Sequence, residues 1–271
     1  MPAPEISPRA PNQRISACII CGNEIRNIER CLKSVQWADE IVVVDSFSDD
    51  GTFDVANRYT SSVYRQKWLG YIGQKKHAAS KATCPWILFV DADEEVSAGL
   101  RAEIEQTFSK PIEEGLNGFN CPRLVFYLGR WIRHGDWYPD MKLRLFRKDF
   151  GECGGEEPHD RITVEGRVAN FKNPLNHYTY TSITDQINQI NRFSSISADI
   201  GRNRKSPSCF TMWGHTLFRF FRCYFLKRGF LDGVPGLIVA INVSFGAFLK
   251  YAKLWDLKRR IHDDPDGDHK G

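Results

Sequence analysis

Trp86-Ile-Leu-Phe-Val-Asp-Ala-Asp-Glu94 runs five apolar residues straight into an acid cluster. A short, unbroken apolar run followed by polar residues reads as a strand buried on both faces. Successive side chains alternate across a strand, so Asp91 and Asp93 share one face at its end. Two carboxylates so placed can meet one hard cation, Mg²⁺ or Mn²⁺, and leave positions for substrate phosphates. Asp264-Pro-Asp266 and Asp266-Gly-Asp268 repeat the spacing in the polar tail. No strand precedes them there, and they read as solvated acid.

Upstream, short β-rich runs alternate with helical stretches. Residues 15–21 form a strand, and residues 24–37 carry Ile25, Ile28, Leu32 and Val35 at helical spacing. Residues 40–44 are a second buried strand ending at Asp45. Ser48-Asp-Asp-Gly-Thr52 supplies turn and N-cap chemistry for a helix to about residue 58; a short strand near 62–65 and a helix over 70–82 follow. This alternation predicts an α/β fold, a parallel sheet covered on both faces with right-handed crossovers. Ligands on such sheets bind at the carboxyl ends of the strands, where Asn23-Glu24, Asp45 and Asp91/Asp93 all fall. Downstream come a helix near 97–108, strands over 119–127 and 141–146 flanking the aromatic loop 130–138, a glycine-rich turn at 151–155, a strand at 161–165 and a helix over 182–201.

The composition is that of a globular chain: 271 residues, 42% hydrophobic, 26% charged, net charge +4. It excludes disorder, collagen and a disulfide mini-scaffold, and gives no ground for a nucleic-acid partner. The eight cysteines are scattered and read as reduced thiols. Cys18 and Cys21 are three apart in a strand and therefore point to opposite faces. The first fourteen residues hold four prolines and no apolar segment, an expected disordered tail in a cytosolic protein.

Asp45 can accept hydrogen bonds from a ribose or a uracil imide lying over the sheet edge, beside a helix N-terminus that favours anions. Lys75 and Lys76 can neutralise a diphosphate leaving group together with a metal, and Arg144 and Arg147 raise the same possibility. Trp131, Trp137 and Tyr138 offer ring faces on which an acceptor sugar can stack. His134 and His177 read as structural, hydrogen-bonded histidines.

The order Ile15–Cys21, Asn23-Glu24, Val42-Val-Val-Asp45-Ser-x-Ser-x-Asp-Gly-Thr52, Gln74-Lys75 and Leu88-Phe-Val-Asp91-Ala-Asp93-Glu94 resembles the donor-binding half of the family-2 inverting glycosyltransferases, which have the GT-A fold. Trp137-Tyr-Pro-Asp-x-Lys-Leu-Arg-Leu-Phe146, Gly154-Gly-Glu-Glu-Pro-His-Asp160, His177-Tyr178, Gly229-Phe-Leu-Asp-Gly233 and Tyr251-Ala-Lys253 resemble the bacterial subfamily that adds β-linked glucose to the lipopolysaccharide inner core. The resemblance implies that Glu24 and Asp45 hold the uridine, Lys75 approaches the diphosphate, Asp93 is the principal metal ligand and Asp91 meets the ribose or a metal-bound water. It implies Asp160 as the base that deprotonates the acceptor, with Glu156 and Glu157 as rivals, and His159 as a second metal contact or a residue that positions the loop. Cys21-Gly22 stands where the family usually has Thr-Tyr or Thr-Lys.

Residues 207–260 contain nine Lys or Arg against two Asp, an excess of seven, so the remainder of a chain of net +4 carries −3. The weakly polar run 236–249 includes Asn242 and Ser244 and is shorter than the ~20 residues a spanning helix needs. Mixed aromatics and cations, as in Leu217-Phe-Arg-Phe-Phe-Arg-Cys-Tyr-Phe-Leu-Lys227, suit an interfacial helix on an anionic membrane. The expected organisation is a tail (1–14), a catalytic domain (15–180, with a donor half to about 110 and an acceptor half from 111), a C-terminal helical extension (181–260) and a polar tail (261–271). The expected activity is transfer of glucose from a UDP-sugar to a lipopolysaccharide-core or other lipid-linked glycan, with Mg²⁺ or Mn²⁺, by a protein peripheral on the inner face of the cell membrane. The same fold with another donor or surface glycan is one alternative; a non-catalytic, nucleotide-binding membrane scaffold is the other.

Overall fold

The structure, a computed structural model, describes residues 9–156, 159–202 and 206–263, with backbone alone at 156, 159, 160 and 261–263. Its contacts divide into two compact units: residues up to Leu124 with Asp140–Tyr178, and Val125–Pro139 with the residues from Thr179 onward. The aromatic loop, which the sequence reading assigns to the acceptor half, thus groups with the C-terminal helices.

The first unit is built on strands β1 (Ile15–Cys21), β2 (Glu40–Asp45), β3 (Val63–Arg65) and β4 (Trp86–Asp91), in the order β3-β2-β1-β4 and all parallel. The sheet continues through antiparallel partners: β8 (Asp140–Arg147) pairs β4, and β6 (Leu116–Tyr127) pairs β8. β12 (Leu175–His177) and β5 (Glu94–Val96) close that edge, and β11 (Arg167–Asn170) lies beside β6. A separate hairpin joins β9 (Gly151–Glu156) to β10 (His159–Val164).

The alternation of side chains along β1, β2 and β4 sorts them between two apolar clusters. Ile15, Ala17, Ile19, Val43, Leu88 and Val90 pack with α1 (Ile28–Val35) and α4 (Ala98–Phe108). Cys18, Ile20, Val42, Val44, Ile87 and Phe89 pack on the other face with Ala78 of α3 (Gly70–Lys81). β1 is buried along its whole length, as a strand covered by helices on both faces must be. Cys18 and Cys21 do fall in different clusters. Burial pushes both thiols up, away from thiolate chemistry. α1 begins later than its apolar spacing predicts: Ile25 is exposed and precedes the helix, because the Glu24 carbonyl accepts from Asn27 and Ile28 N–H in a tight turn. α2 (Thr52–Ala56) follows Gly51, whose φ of 96° only glycine adopts readily.

The register puts Cys21 opposite Asp45 and Ile20 opposite Asp91. Two carboxylates therefore stand on either side of β1, offset by one residue and on opposite faces, at the carboxyl edge of the sheet.

The second unit contains β7 (Arg130–Ile132), paired with the end of β6, and helices α5 (Ile183–Ile200), α6 (Cys209–Phe221) and α7 (Gly233–Asp263). Ser182 and Ser208 cap α5 and α6 through their hydroxyls. α7 runs unbroken through Asn242 and Ser244, because Asn242 Nδ2 donates to Gln186 Oε1 at 2.6 Å and the Ser244 hydroxyl to the Ile241 carbonyl at 2.7 Å. The run that looks too short for a membrane span thus belongs to a helix long and apolar enough, by length and composition, to cross one; 33% of an apolar 18-residue stretch of that helix is buried within the fold.

Two carboxylates tie the aromatic loop to these helices. Asp232 accepts from Arg133 N (3.0 Å), His134 N (2.8 Å) and His134 Nδ1 (3.0 Å), the structural partner expected of His134. Asp136 meets Arg222 (2.6 Å), Lys227 (3.1 Å) and Arg219 (3.6 Å). Burial alone would raise the Asp136 carboxyl; its bonds with Arg222 and Lys227 outweigh that and hold it below the ordinary value of 3.8. A carboxyl depressed by folding contributes stability above its unfolded pKa and loses it as pH falls through the folded one. Asp136→Asn should therefore lower the denaturation midpoint at neutral pH, with the gap from the wild type closing as the pH falls below about 4. A gap that stays constant from neutral to acid pH would refute this role.

Candidate active site

The carboxylates at the sheet edge are held in different ways. Asp45, fully buried, accepts from Ser48 N at 3.0 Å and from the Ser48 hydroxyl. Arg65 Nε lies 3.9 Å from it, and the Arg65 guanidinium covers the Phe53 ring at 3.9 Å. Glu24 begins the turn before α1: its N–H donates to Thr52 Oγ1 at 2.8 Å and its carboxylate accepts from Asn27 Nδ2 at 2.9 Å. Burial raises the Glu24 carboxyl against the Asn27 hydrogen bond, with a smaller push in the same direction from the charge of Asp93.

Asp91 lies between two buried cations. Lys75 Nζ is 3.1 Å from one oxygen and Arg144 Nη2 is 2.7 Å from the other, with the side chains of Lys75 and Arg144 only 3% and 5% exposed. Burial would push the Asp91 carboxyl up, but the charges of Arg144 and Lys75 prevail and hold it far below the usual carboxylate range. The same Arg144 nitrogen reaches Glu94 at 2.5 Å, and Glu94 Oε2 accepts the backbone N–H of Asp91 at 3.0 Å. Glu94 is fully buried, which raises its carboxyl despite Arg144.

Asp93, one residue along, faces a different environment. His177 Nε2 donates to one of its oxygens at 3.0 Å, and Tyr178 N–H donates to its carbonyl at 2.9 Å. The other carboxylate oxygen makes no hydrogen bond with the described residues, and the side chain is 25% exposed. His177 Nδ1 is buried without a partner, so the ring carries its proton on Nε2, toward Asp93. Tyr178 sits under the Arg30 guanidinium at 3.5 Å and donates its hydroxyl to Glu95 at 2.8 Å.

Lys75, Asp91 and Arg144 thus form one cluster, joined by Glu94, which the sequence reading leaves without a role although it follows the acid pair directly. His177 has the structural partner expected of it, and that partner is Asp93. No local pattern links residues 84 positions apart. Two of the four non-glycine residues with left-handed backbone among the described residues, Asn23 (φ 56°) and Phe47 (φ 61°), lie at the ends of β1 and β2. Asn23 N–H donates to Ser48 Oγ and Asn23 Oδ1 accepts from Asp49 N, which locks the two loops together. A bulky residue in this backbone region is a strained state of the kind that concentrates at ligand sites, and the Phe47 ring is 53% exposed.

Lys76 pairs with Glu152 at 3.4 Å on the surface, and the Arg147 guanidinium lies over Phe150. Trp137 and Tyr138 belong to the second unit, where Trp137 stacks on Tyr180 at 5.5 Å and meets Tyr127 edge-on at 5.3 Å. Asp160 stands opposite Gly155 and His159 opposite Glu156 in the β9–β10 hairpin. Glu157 and the side chains of Glu156, His159 and Asp160 lie outside the described residues.

The family model described as glycosyl transferase family 2 matches residues 16–162. Among solved structures, the mannosyltransferase of Pyrobaculum calidifontis in complex with GDP-Man and Mn²⁺ aligns with a TM-score of 0.48 at 15% identity, over 92% of this chain and 91% of that one. An uncharacterized glycosyltransferase of Rickettsia bellii is 34% identical over 257 residues, 90% of this chain and 87% of that protein. The lipopolysaccharide core biosynthesis glycosyltransferase LpsC of Rhizobium meliloti is 29% identical over 265 residues, 94% and 97% of the two chains. On the family match and the Rickettsia relative, with the strand order and the acidic sheet edge as its structural counterpart, the chain belongs to glycosyltransferase family 2.

Proposed function

We propose that this family-2 glycosyltransferase moves glucose from a UDP-sugar to a hydroxyl of a lipid-linked glycan of the lipopolysaccharide-core type, with inversion at the anomeric carbon, on the cytoplasmic face of the membrane. The observation that carries the proposal is the set of carboxylates at the carboxyl ends of the two parallel strands that flank β1, Asp45 at the end of β2 and Asp91, with Asp93 just beyond it, at the end of β4. That edge is where α/β sheets bind nucleotides. The name of the Rhizobium meliloti relative favours the lipopolysaccharide core as acceptor.

In this reading Asp45 and Glu24 hold the uridine, and the exposed ring of Phe47 offers a face to the base. Asp93 holds the metal. Among the described residues no three His, Cys, Asp or Glu side chains converge as a cage. Mg²⁺ is ordinarily held by one or two carboxylates with substrate phosphates, and the unpaired oxygen of Asp93 beside ionised Asp91 fits that need. When bound, such an ion stabilises the charge that develops on the departing diphosphate.

Lys75 and Arg144 act through Asp91: their cations keep it ionised and aimed at the edge, where it can meet the ribose or a metal-bound water. His177 orients Asp93 as an outer partner orients a ligand. Asp160, with His159 as a further metal contact, takes the acceptor proton as the acceptor oxygen bonds to the anomeric carbon and the bond to the diphosphate breaks. Trp137 and Tyr138 stack against the acceptor. The basic helices hold the protein at an anionic membrane surface.

The donor is tested by screening UDP-, GDP- and dTDP-sugars for hydrolysis or transfer with Mn²⁺. UDP-glucose should turn over fastest, and a preference for GDP- or dTDP-sugars would overturn the assignment. Asp93→Asn should lower turnover by about 100-fold or more with the melting curve unchanged; turnover near wild type would remove Asp93 from the metal site. Arg144→Met takes the nearest cation from buried Glu94, leaving Arg123 at 3.9 Å, and leaves Asp91 with Lys75 alone; it should cost about 3–5 kcal/mol in denaturant unfolding. A loss of activity at full stability would instead make Arg144 a direct ligand contact.

A further inference from the structure

The second unit contains a cavity of about 490 Å³ lined by α5, α6 and α7 together with Trp137 and Tyr180, within the ~300–1,000 Å³ of small-molecule sites. Its described lining includes Arg219, Arg222, Lys250 and His215 and not one Asp or Glu. Asp136 partly neutralises Arg222 and Arg219, whereas Lys250 has no carboxylate within ion-pair distance among the described residues. His215 stacks on Tyr251, another lining residue, at 4.8 Å. A cationic, carboxylate-free cavity selects an anion.

The faces of α6 identify what kind of anion. His215, Phe218, Arg219 and Arg222 turn toward the cavity at positions i, i+3, i+4 and i+7. Phe210, Trp213, Leu217 and Phe221, at i, i+3, i+7 and i+11, form a second row outside the cavity, and all four are exposed. Phe218 belongs to both, lining the cavity while 58% exposed. A contiguous exposed apolar stripe on a soluble surface marks a binding face. Phe218, one residue from Leu217 and three from Phe221, joins this stripe to the cavity wall, and a cationic cavity joined to an apolar face matches a molecule with apolar chains next to a negative head.

We infer that this cavity is a binding site for the phosphate headgroup of a membrane lipid, whose acyl chains lie along the exposed stripe of α6. The site deepens the membrane placement proposed above and rests on it. It adds selectivity: the protein recognises a phosphate headgroup in a shaped pocket, beyond a general attraction to negative surfaces.

The test is co-sedimentation of the full chain with phosphatidylcholine vesicles carrying either phosphatidylglycerol or oleate at equal surface charge. The wild type should prefer phosphatidylglycerol. Lys250→Glu should weaken binding to phosphatidylglycerol vesicles by roughly 30-fold, from two units of charge at ~1 kcal/mol each, and erase the preference. Lys250→Gln should lie between. Lys258→Glu reverses a cation of α7 that does not line the cavity, and should keep the preference whatever its general weakening. Leu217→Ser with Phe221→Ser changes only exposed side chains and should abolish binding to both vesicles. Thermal unfolding of each variant verifies its fold. Equal binding of the wild type to both vesicle types, or a preference that survives in Lys250→Glu, would overturn the pocket and leave the membrane placement standing. No binding to any vesicle would overturn both.

Discussion

The placement of Asp91 between Lys75 and Arg144 is the constraint on which the carboxyl edge of the sheet depends. Taking three charges out of water costs several kcal/mol per ion unless their hydrogen bonds are met, and the geometry meets them by joining three elements. Lys75 comes from α3, Arg144 from β8 and Asp91 from the end of β4, at 3.1 and 2.7 Å. Glu94 closes the arrangement by taking the same Arg144 nitrogen and the Asp91 N–H. The helix on one face, the antiparallel strand next to β4 and the acidic loop are thereby fixed to one point. Asp93, two residues from Asp91, inherits its position from that lock, and His177 turns it from the other side.

A division of labour between the two acids follows. Asp91 is satisfied within the protein and holds its charge, while Asp93 keeps an oxygen outside the network. Two adjacent carboxylates that look equivalent in a strand-end pair are separated by their surroundings, the way a single fold assigns different tasks to identical groups.

Much of this was legible in the sequence because it depends on local pattern. The buried strands at 15–21, 40–45 and 86–91 are unbroken apolar runs ending in polar residues, and the period of two sorted Cys18 from Cys21 correctly. The strand ends pointed to Glu24, Asp45, Asp91 and Asp93 for the same reason. What escaped depends on distance. Nothing near Lys75 or Arg144 shows that both meet Asp91, and nothing near His177 names Asp93. Glu94 was missed because a buried acid is recognised by its partner, which lies fifty residues away. α1 started late because a turn held by the Glu24 carbonyl overrides apolar spacing at Ile25. That the apolar run 236–249 belongs to one longer helix is hidden because Asn242 and Ser244 look polar in a row of letters, yet each has a hydrogen-bond partner in place.

The local charge excess of the C-terminal segment also gains a structure. Some of its cations are anchored internally, Arg219, Arg222 and Lys227 around Asp136, and others such as Lys250 line a cavity with no acid in its wall. The central claim, however, concerns the sheet edge, and a crystal structure of the full chain with UDP and Mn²⁺ tests it most directly. The account predicts the metal on Asp93 and the diphosphate, the uracil at Asp45, and Asp91 still bonded to Lys75 and Arg144. UDP bound away from the carboxyl ends of β1, β2 and β4, or a metal that avoids Asp93, would contradict it.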